Sequence, residues 1–223
     1  MLFSLEAVRA NIRNRDGKRV FYLAKGDQLT SEAKDYLRSQ RIEILPAETA
    51  RPERYRLLSG GFLEEKPEHM THLFGDVLVE KTHPRIAFRG AIDALEAELL
   101  LCQLRLPHLS QPLQELLALS RQLLSAEVMG EPVPETPLGG LDAQQIRVQS
   151  HRPQDFFGQP HFMPQVSDGE TVLLLNRLRT TVRTAERAAV AAIPEKTDLL
   201  QALNRMSSFV YILMIREKAT IKR

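Results

Sequence analysis

From Pro84 onward the chain repeats apolar residues at helical spacing, and the repeat ends in FVYILMI, Phe209 to Ile215, an uninterrupted apolar run. A helix apolar on every side must be buried on every side, in a bundle core or at a subunit interface. The run is far shorter than the about 20 residues a membrane-spanning helix needs. Helix signals divide this tract into five. The first, PRIAFRGAIDALEAELLLCQLRL, is opened by Pro84 at a first-turn position. A second follows Ser110, with Pro112 near its start, and runs to about Met129. Beyond the Pro/Gly stretch GEPVPETPLGG a weaker third spans about Leu141 to Ser150. A fourth begins after the cap candidate Ser167 and ends before Pro194, and a fifth begins after Thr197 and continues to about Lys218. The expected fold class is mainly α: a five-helix bundle with a small amino-terminal β-α-β unit.

That unit is read from residues 1–45, where a short amphipathic segment from Ser4 precedes a strand at RVFYLA, a helix capped by Thr30 over SEAKDYLRSQ, and a strand at IEIL. Residues 46–75 lose periodicity and collect Pro and Gly, which predicts a linker or long loop, so the bundle domain is expected over 76–223. With 30 basic against 28 acidic residues the chain is too balanced for a general nucleic-acid binder, and any anion site must be local. One cysteine, Cys102, excludes an intrachain disulfide framework and a cysteine-rich zinc cluster, which suits a reducing cytoplasm. The start MLFSLEAVRANIRNRDGK lacks the apolar core of a secretory signal, so a cytoplasmic protein is expected, with no membrane and no nucleic-acid partner.

The local anion site has a candidate. In LNRLRTTVRTAERAAV, Arg179, Arg183 and Arg187 step by four, forming one cationic stripe while Leu178, Val182, Ala185 and Ala189 face elsewhere. Glu186 is the only carboxylate in the stretch, so the intrahelical pairing that usually neutralises a solvated face is thin. The stripe either solvates a surface or grips an anion. On the first helix Arg85, Arg89 and Asp93 also step by four. Asp93, between Ile92 and Leu95, is either solvent-facing or buried against a partner, for which Arg183 is the natural candidate.

Three motifs in this order carry a resemblance: VEKTHPRIAFRGAIDALEAEL, RTTVRTAERAAV and QALNRMSSFVYILM. Together they resemble the ATP:cob(I)alamin adenosyltransferases of the propanediol-utilisation type. The ethanolamine-utilisation branch is closer still, through GDQLTSEAKDYLRSQRIEI in the amino-terminal unit. The resemblance implies transfer of the 5′-deoxyadenosyl group of ATP to cob(I)alamin, giving adenosylcobalamin and triphosphate. It assigns nucleotide contacts to Lys81, Arg183, Thr184, Ala185, Glu186, Arg187 and Asn204, and an inter-subunit salt bridge to Asp93 and Arg183. It further implies a homotrimer with ATP sites between subunits, Mg2+ or another divalent cation carried on the phosphates, handover to a B12-dependent enzyme, and association with a microcompartment.

The residue types suit that chemistry. Cobalt(I) is itself the nucleophile, so catalysis is alignment and charge stabilisation on the leaving triphosphate, for which a bidentate arginine such as Arg187 is apt. Phe162, in the loop QPHFMPQVSDG, corresponds in position to a family phenylalanine that excludes the lower axial ligand of cobalt; the alternative is a ring filling the end of the bundle. The chain departs from the family in its phosphate loop: THLFGDVLVEK has Gly75 and Asp76 but no second glycine, with Thr71 and His72 as substitutes in position. The linker has no cysteine, and His69 with His72 is a pair too small to predict a metal site. A non-catalytic nucleotide or corrinoid carrier and a structural oligomer are the alternative classes.

Overall fold

The computed structural model describes residues 1–15, 17–49 and 55–221 and divides into two compact units, 1–81 and 82–223. In the first unit come β1 (Leu2–Phe3), α1 (Leu5–Ala10), β2 (Arg13–Arg15), β3 (Lys18–Leu23), β4 (Gln28–Leu29), α2 (Ser31–Ser39) and β5 (Glu43–Pro46). Then follow β6 (Tyr55–Leu57), β7 (Phe62–Leu63), β8 (Met70–Phe74) and β9 (Val77–Glu80). The expected β-α-β piece is β3-α2-β5. Its strands pair in parallel with Val20 opposite Glu43, and α2 starts where the Thr30 hydroxyl accepts the Ala33 N–H at 3.3 Å. Val8, Phe21, Leu29, Ala33, Leu37 and Ile42 form its core, and Phe3 meets Phe21 edge-on with ring centroids 5.4 Å apart.

Where the sequence predicts a loop over 46–75, the structure has a sheet in the order β7-β6-β9-β8. It takes in β9, which the sequence assigns to the bundle domain. The reason lies in strand length. Strands of two to five residues are too short for alternation to stand out. The glycines that suggest a loop serve as hairpin turns, with Gly60, Gly61 and Gly75 at φ 98°, 92° and 51°.

The second unit is helical: α3 (Pro84–Arg105), α4 (Ser110–Met129), α5 (Ala143–His151), α6 (Pro153–Phe157), α7 (Gly169–Ala192) and α8 (Thr197–Ile221). The five predicted helices are α3, α4, α5, α7 and α8; the one-turn α6 is too short to leave a periodic signal. Ser167 is not the cap of α7. Asp168 stands at that position without a capping hydrogen bond, because its carboxylate is drawn to Lys218, 2.7 Å away on α8. Phe209, Val210 and Ile212 to Ile215 are all buried within this one chain, so the apolar run is bundle core. Gly139, at φ 58°, lies against it so closely that a Cβ would come 2.8 Å from the Phe209 ring. Only glycine meets both demands there.

α7 packs between α3 and α8. Arg105 pairs with Glu170 at 3.2 Å, and Arg177 makes a two-pronged contact with Glu98 at 2.7 Å for each prong. These pairs step by seven on both helices, in opposite senses, and so fix α3 and α7 as antiparallel. Burial and the adjoining Glu98 carboxylate push the Cys102 thiol up to about 12, which leaves it inert as a nucleophile. At the other end of α3, Arg85 and Arg89 close on Glu127 of α4, whose side chain is 1% exposed. Arg89 Nε donates to Glu127 Oε2 at 2.7 Å, Arg85 Nε donates to Oε1, and Arg85 Nη2 donates to the Glu127 carbonyl at 2.9 Å. The arginines that step with Asp93 are thus spent on a buried carboxylate. Glu127→Ala is expected to lower unfolding stability by about 3–5 kcal/mol, because two half-buried guanidiniums lose their counter-charge. Urea denaturation measures this, and Glu127→Gln should lose less.

Candidate functional site

The buried face of α7 decides which residues reach outward. Val172, Leu175, Leu178, Val182, Ala185 and Ala189 are buried, and Arg183, Thr184 and Arg187 are left exposed. Ala185 therefore packs below the motif and presents no side chain at its surface. Glu186 turns toward α8, where its Oε1 accepts from Asn204 Nδ2 at 2.9 Å and its Oε2 lies 3.3 Å from Arg183 Nη1. Asn204 is oriented in turn by Arg205, whose Nη1 donates to Asn204 Oδ1 at 3.0 Å. Burial lowers the pKa of the Arg205 guanidinium, repulsion from Arg147 adds to this, and Glu186 opposes it. Glu186 Oε2 is inaccessible to water and accepts no hydrogen bond. A buried carboxylate oxygen without a donor is costly unless another group completes its shell.

Arg187 has no carboxylate partner among the described residues, and Arg179 bonds only the Asn176 amide, at 3.0 and 3.3 Å. The stripe is thus a row of three guanidiniums of which, among the described residues, Arg183 alone pairs with a carboxylate. Asp93 is exposed, so of its two readings the solvent-facing one holds within this chain, and the carboxylate beside Arg183 is Glu186. The α3–α7 pairs, continued by one more step of seven, bring Ala91 level with Thr184. Asp93 and Arg183 therefore stand at the same height on the bundle, both facing outward.

Phe162 is half-buried against the bundle core, in the loop between α6 and α7. Its N–H donates to the Tyr211 hydroxyl at 3.3 Å, its ring stacks on Tyr211 at 6.1 Å, and the Lys218 ammonium lies 4.1 Å from its centroid. Met163 and Val166 beside it are 83% and 86% exposed, which gives this loop an apolar outer surface. A cavity of about 170 Å³ is lined by Arg205, Leu119, Val133, Leu138, Ile146 and Ala202. That is well below the roughly 300–1,000 Å³ of a pocket enclosing a nucleotide-sized ligand.

Lys81, Thr71 and His72 belong to the first unit. Thr71 and His72 are neighbours on β8 and point to opposite faces. The His72 ring packs on Tyr55 at 5.6 Å, and Lys81 is exposed with its N–H donating to the His69 carbonyl at 2.9 Å. His69 lies 3.7 Å from Glu80, so the two histidines serve different partners. Gly75 and Asp76 form the β8–β9 turn, with Asp76 3.8 Å from Arg56. Among the described residues no group of three or more His, Cys, Asp and Glu side chains is placed to hold a metal ion.

Sequence reasoning misses Arg205, Tyr211 and Lys218. A signal exists for two of them: Asn204, Tyr211 and Lys218 step by seven, which puts them on one stripe of α8.

A helical bundle that presents an arginine row beside a carboxylate–amide pair is the class defined by fold and site. The family model for cobalamin adenosyltransferases matches residues 62–217, and the chain belongs to this family. It is 29% identical over 238 residues to the corrinoid adenosyltransferase EutT of Salmonella typhimurium, covering 93% of this chain and 89% of that protein. To the EutT of Escherichia coli it is 33% identical over 170 residues, covering 71% of this chain and 64% of that one. Among solved structures it is similar to a variant PduO-type ATP:corrinoid adenosyltransferase from Lactobacillus reuteri complexed with cobalamin and ATP. The TM-score is 0.51 at 16% identity, over 76% of this chain and 90% of the other, a likeness of fold.

The ion pair joining the start of α7 to α8 has a testable energy. Asp168 and Lys218 side chains are 9% and 17% exposed. Lys218→Met should cost about 3 kcal/mol at pH 7. Gln165 N–H still donates to the other Asp168 oxygen at 2.9 Å, and Lys218→Arg, which keeps the charge, should lose less. Urea unfolding of the two variants at pH 7 measures the difference.

Proposed function

We propose that the chain transfers the 5′-deoxyadenosyl group of ATP to cob(I)alamin, in support of a B12-dependent pathway such as ethanolamine utilisation. The observation that carries this is the Arg183–Glu186–Asn204–Arg205 network beneath exposed Arg187, in a member of the cobalamin adenosyltransferase family. The cobalt(I) lone pair attacks C5′ of ATP, the C5′–O bond breaks, and its electron pair leaves with triphosphate. No proton need move at the reacting centre, so the protein's task is placement and charge. Arg183 and Arg187 bind phosphate oxygens through planar forks. Asn204, held by Glu186 and Arg205, presents a fixed amide to the nucleotide, while Thr184 and the backbone at Ala185 line it. The family resemblance also assigns nucleotide contacts to Lys81, Thr71 and His72.

A divalent cation carried in on the phosphates needs few protein ligands, and Glu186 is the carboxylate of the α7 motif that would assist it. Phe162 is read as the wedge that excludes the lower axial ligand of the corrinoid, and the exposed apolar neighbours Met163 and Val166 support it. The motif face of α7 is open in the single chain. A homotrimer with ATP between subunits encloses it and gives Arg183 its second partner, Asp93 of a neighbouring copy.

Arg187→Ala and Asn204→Ala should each lower kcat/KM for ATP by roughly 10²-fold, the scale of a lost charge-stabilising donor, with helicity and assembly unchanged. Arg187→Lys should recover little, since the fork is lost. Near-normal turnover of either alanine variant at subsaturating ATP contradicts the assigned site. For Asp93 and Arg183, single substitutions should weaken assembly and ATP binding, and the charge swap should restore part of both. Strict additivity in sedimentation and ATP titration would show that the two do not meet.

A further inference from the structure

Tyr211 is the side chain on which the Phe162 loop is mounted. It lies seven residues from Asn204 on the same stripe of α8, about 10 Å along the axis at the helical rise. Its hydroxyl accepts the Phe162 N–H at 3.3 Å and lies 3.1 Å from His161 Nδ1. Its ring stacks on His161 at 5.7 Å with an interplanar angle of 7°, and on Phe162 at 6.1 Å with 26°. The other ring nitrogen of His161 is 3.2 Å from the His151 carbonyl, which ties the loop to the end of α5. Lys218, one heptad further, caps the Phe162 ring at 4.1 Å while paired to Asp168. Phe162 is therefore fixed at its backbone by one hydroxyl and at its ring by an aromatic and a cation. All of these holds come from the helix that carries Asn204.

We infer that Tyr211 is a positioning residue for the corrinoid step: it sets the Phe162 loop at a fixed distance from the nucleotide-reading amide, so that the apolar wedge and the nucleotide meet opposite faces of one corrin. The inference rests on the reading of Phe162 as that wedge. A loop held only by core packing could shift by an ångström and readmit water to cobalt; two hydrogen-bond contacts to one hydroxyl and two ring stacks prevent this. Tyr211 touches no reacting atom. Its effect is confined to the coordination of cobalt(II) before reduction, and ATP binding does not depend on it.

The test compares wild type, Tyr211→Phe, Phe162→Ala and the double variant, each with ATP and cob(II)alamin. Tyr211→Phe keeps the ring and removes the hydroxyl. It should reduce the four-coordinate cob(II)alamin signal about five- to tenfold, as expected for one or two lost hydrogen bonds. Turnover from cob(II)alamin with a reductant should fall in parallel. Turnover from chemically reduced cob(I)alamin and KM for ATP should stay within about twofold, a split that general loosening of the fold would not produce. The double variant should lose no more than Phe162→Ala alone. His161→Ala, a change at an exposed residue, should lower the same signal without touching the core. If Phe162→Ala loses the signal and Tyr211→Phe keeps it, or if Tyr211→Phe depresses both turnover rates equally, the role of Tyr211 is wrong and that of Phe162 stands. An undiminished signal in Phe162→Ala removes the wedge itself, and the inference with it.

Discussion

Every exposed group on α7 depends on the apolar stripe beneath it. Val172, Leu175, Leu178, Val182, Ala185 and Ala189 are driven into the bundle, and their spacing dictates that Arg183, Thr184 and Arg187 face outward. Ala185 and Ala189 matter by being small, since they let α7 seat closely enough for Glu186 to reach Asn204 at 2.9 Å. A larger residue there would push the helices apart and break the carboxylate–amide link. Packing and site geometry are the same fact seen from two sides of one helix.

The partner helix divides its labour along a single line. Asn204, Tyr211 and Lys218, at steps of seven, hold respectively the Glu186 carboxylate, the Phe162 loop, and the Asp168 carboxylate at the start of α7. Around them Phe209, Val210 and Ile212 to Ile215 are buried, so this line cannot rotate. The groups proposed to read the nucleotide and to face the corrin are thereby set about two turns apart on a rigid element. A reaction that succeeds by alignment requires that rigidity.

Much of this was legible in the residues. Helical periodicity located α3, α4, α5, α7 and α8, because long amphipathic segments leave a strong signal. The arginine stripe was legible for the same reason. Three kinds of feature were not. The strands between Tyr55 and Glu80 are too short for alternation, and their glycines act as turns. The closure of Arg85 and Arg89 on Glu127 joins residues about forty apart, and nothing in local spacing names such a partner. Ser167 and Asp168 have similar capping propensity, and only the Lys218 contact across the bundle distinguishes the position of Asp168. Likewise Arg205 and Tyr211 act through other side chains, and their roles exist only once α8 is set beside α7 and the Phe162 loop.

The proposed reaction is the displacement of intact triphosphate from C5′ of ATP by a cobalt-centred nucleophile. The most direct measurement incubates the chain with ATP and cob(I)alamin under anaerobic conditions, following the corrinoid spectrum while the phosphate products are resolved. Adenosylcobalamin and inorganic triphosphate should appear in equal amounts as primary products. Nucleotide binding with the corrinoid left unalkylated, or adenosylation accompanied from the outset by pyrophosphate and phosphate instead of triphosphate, would contradict it.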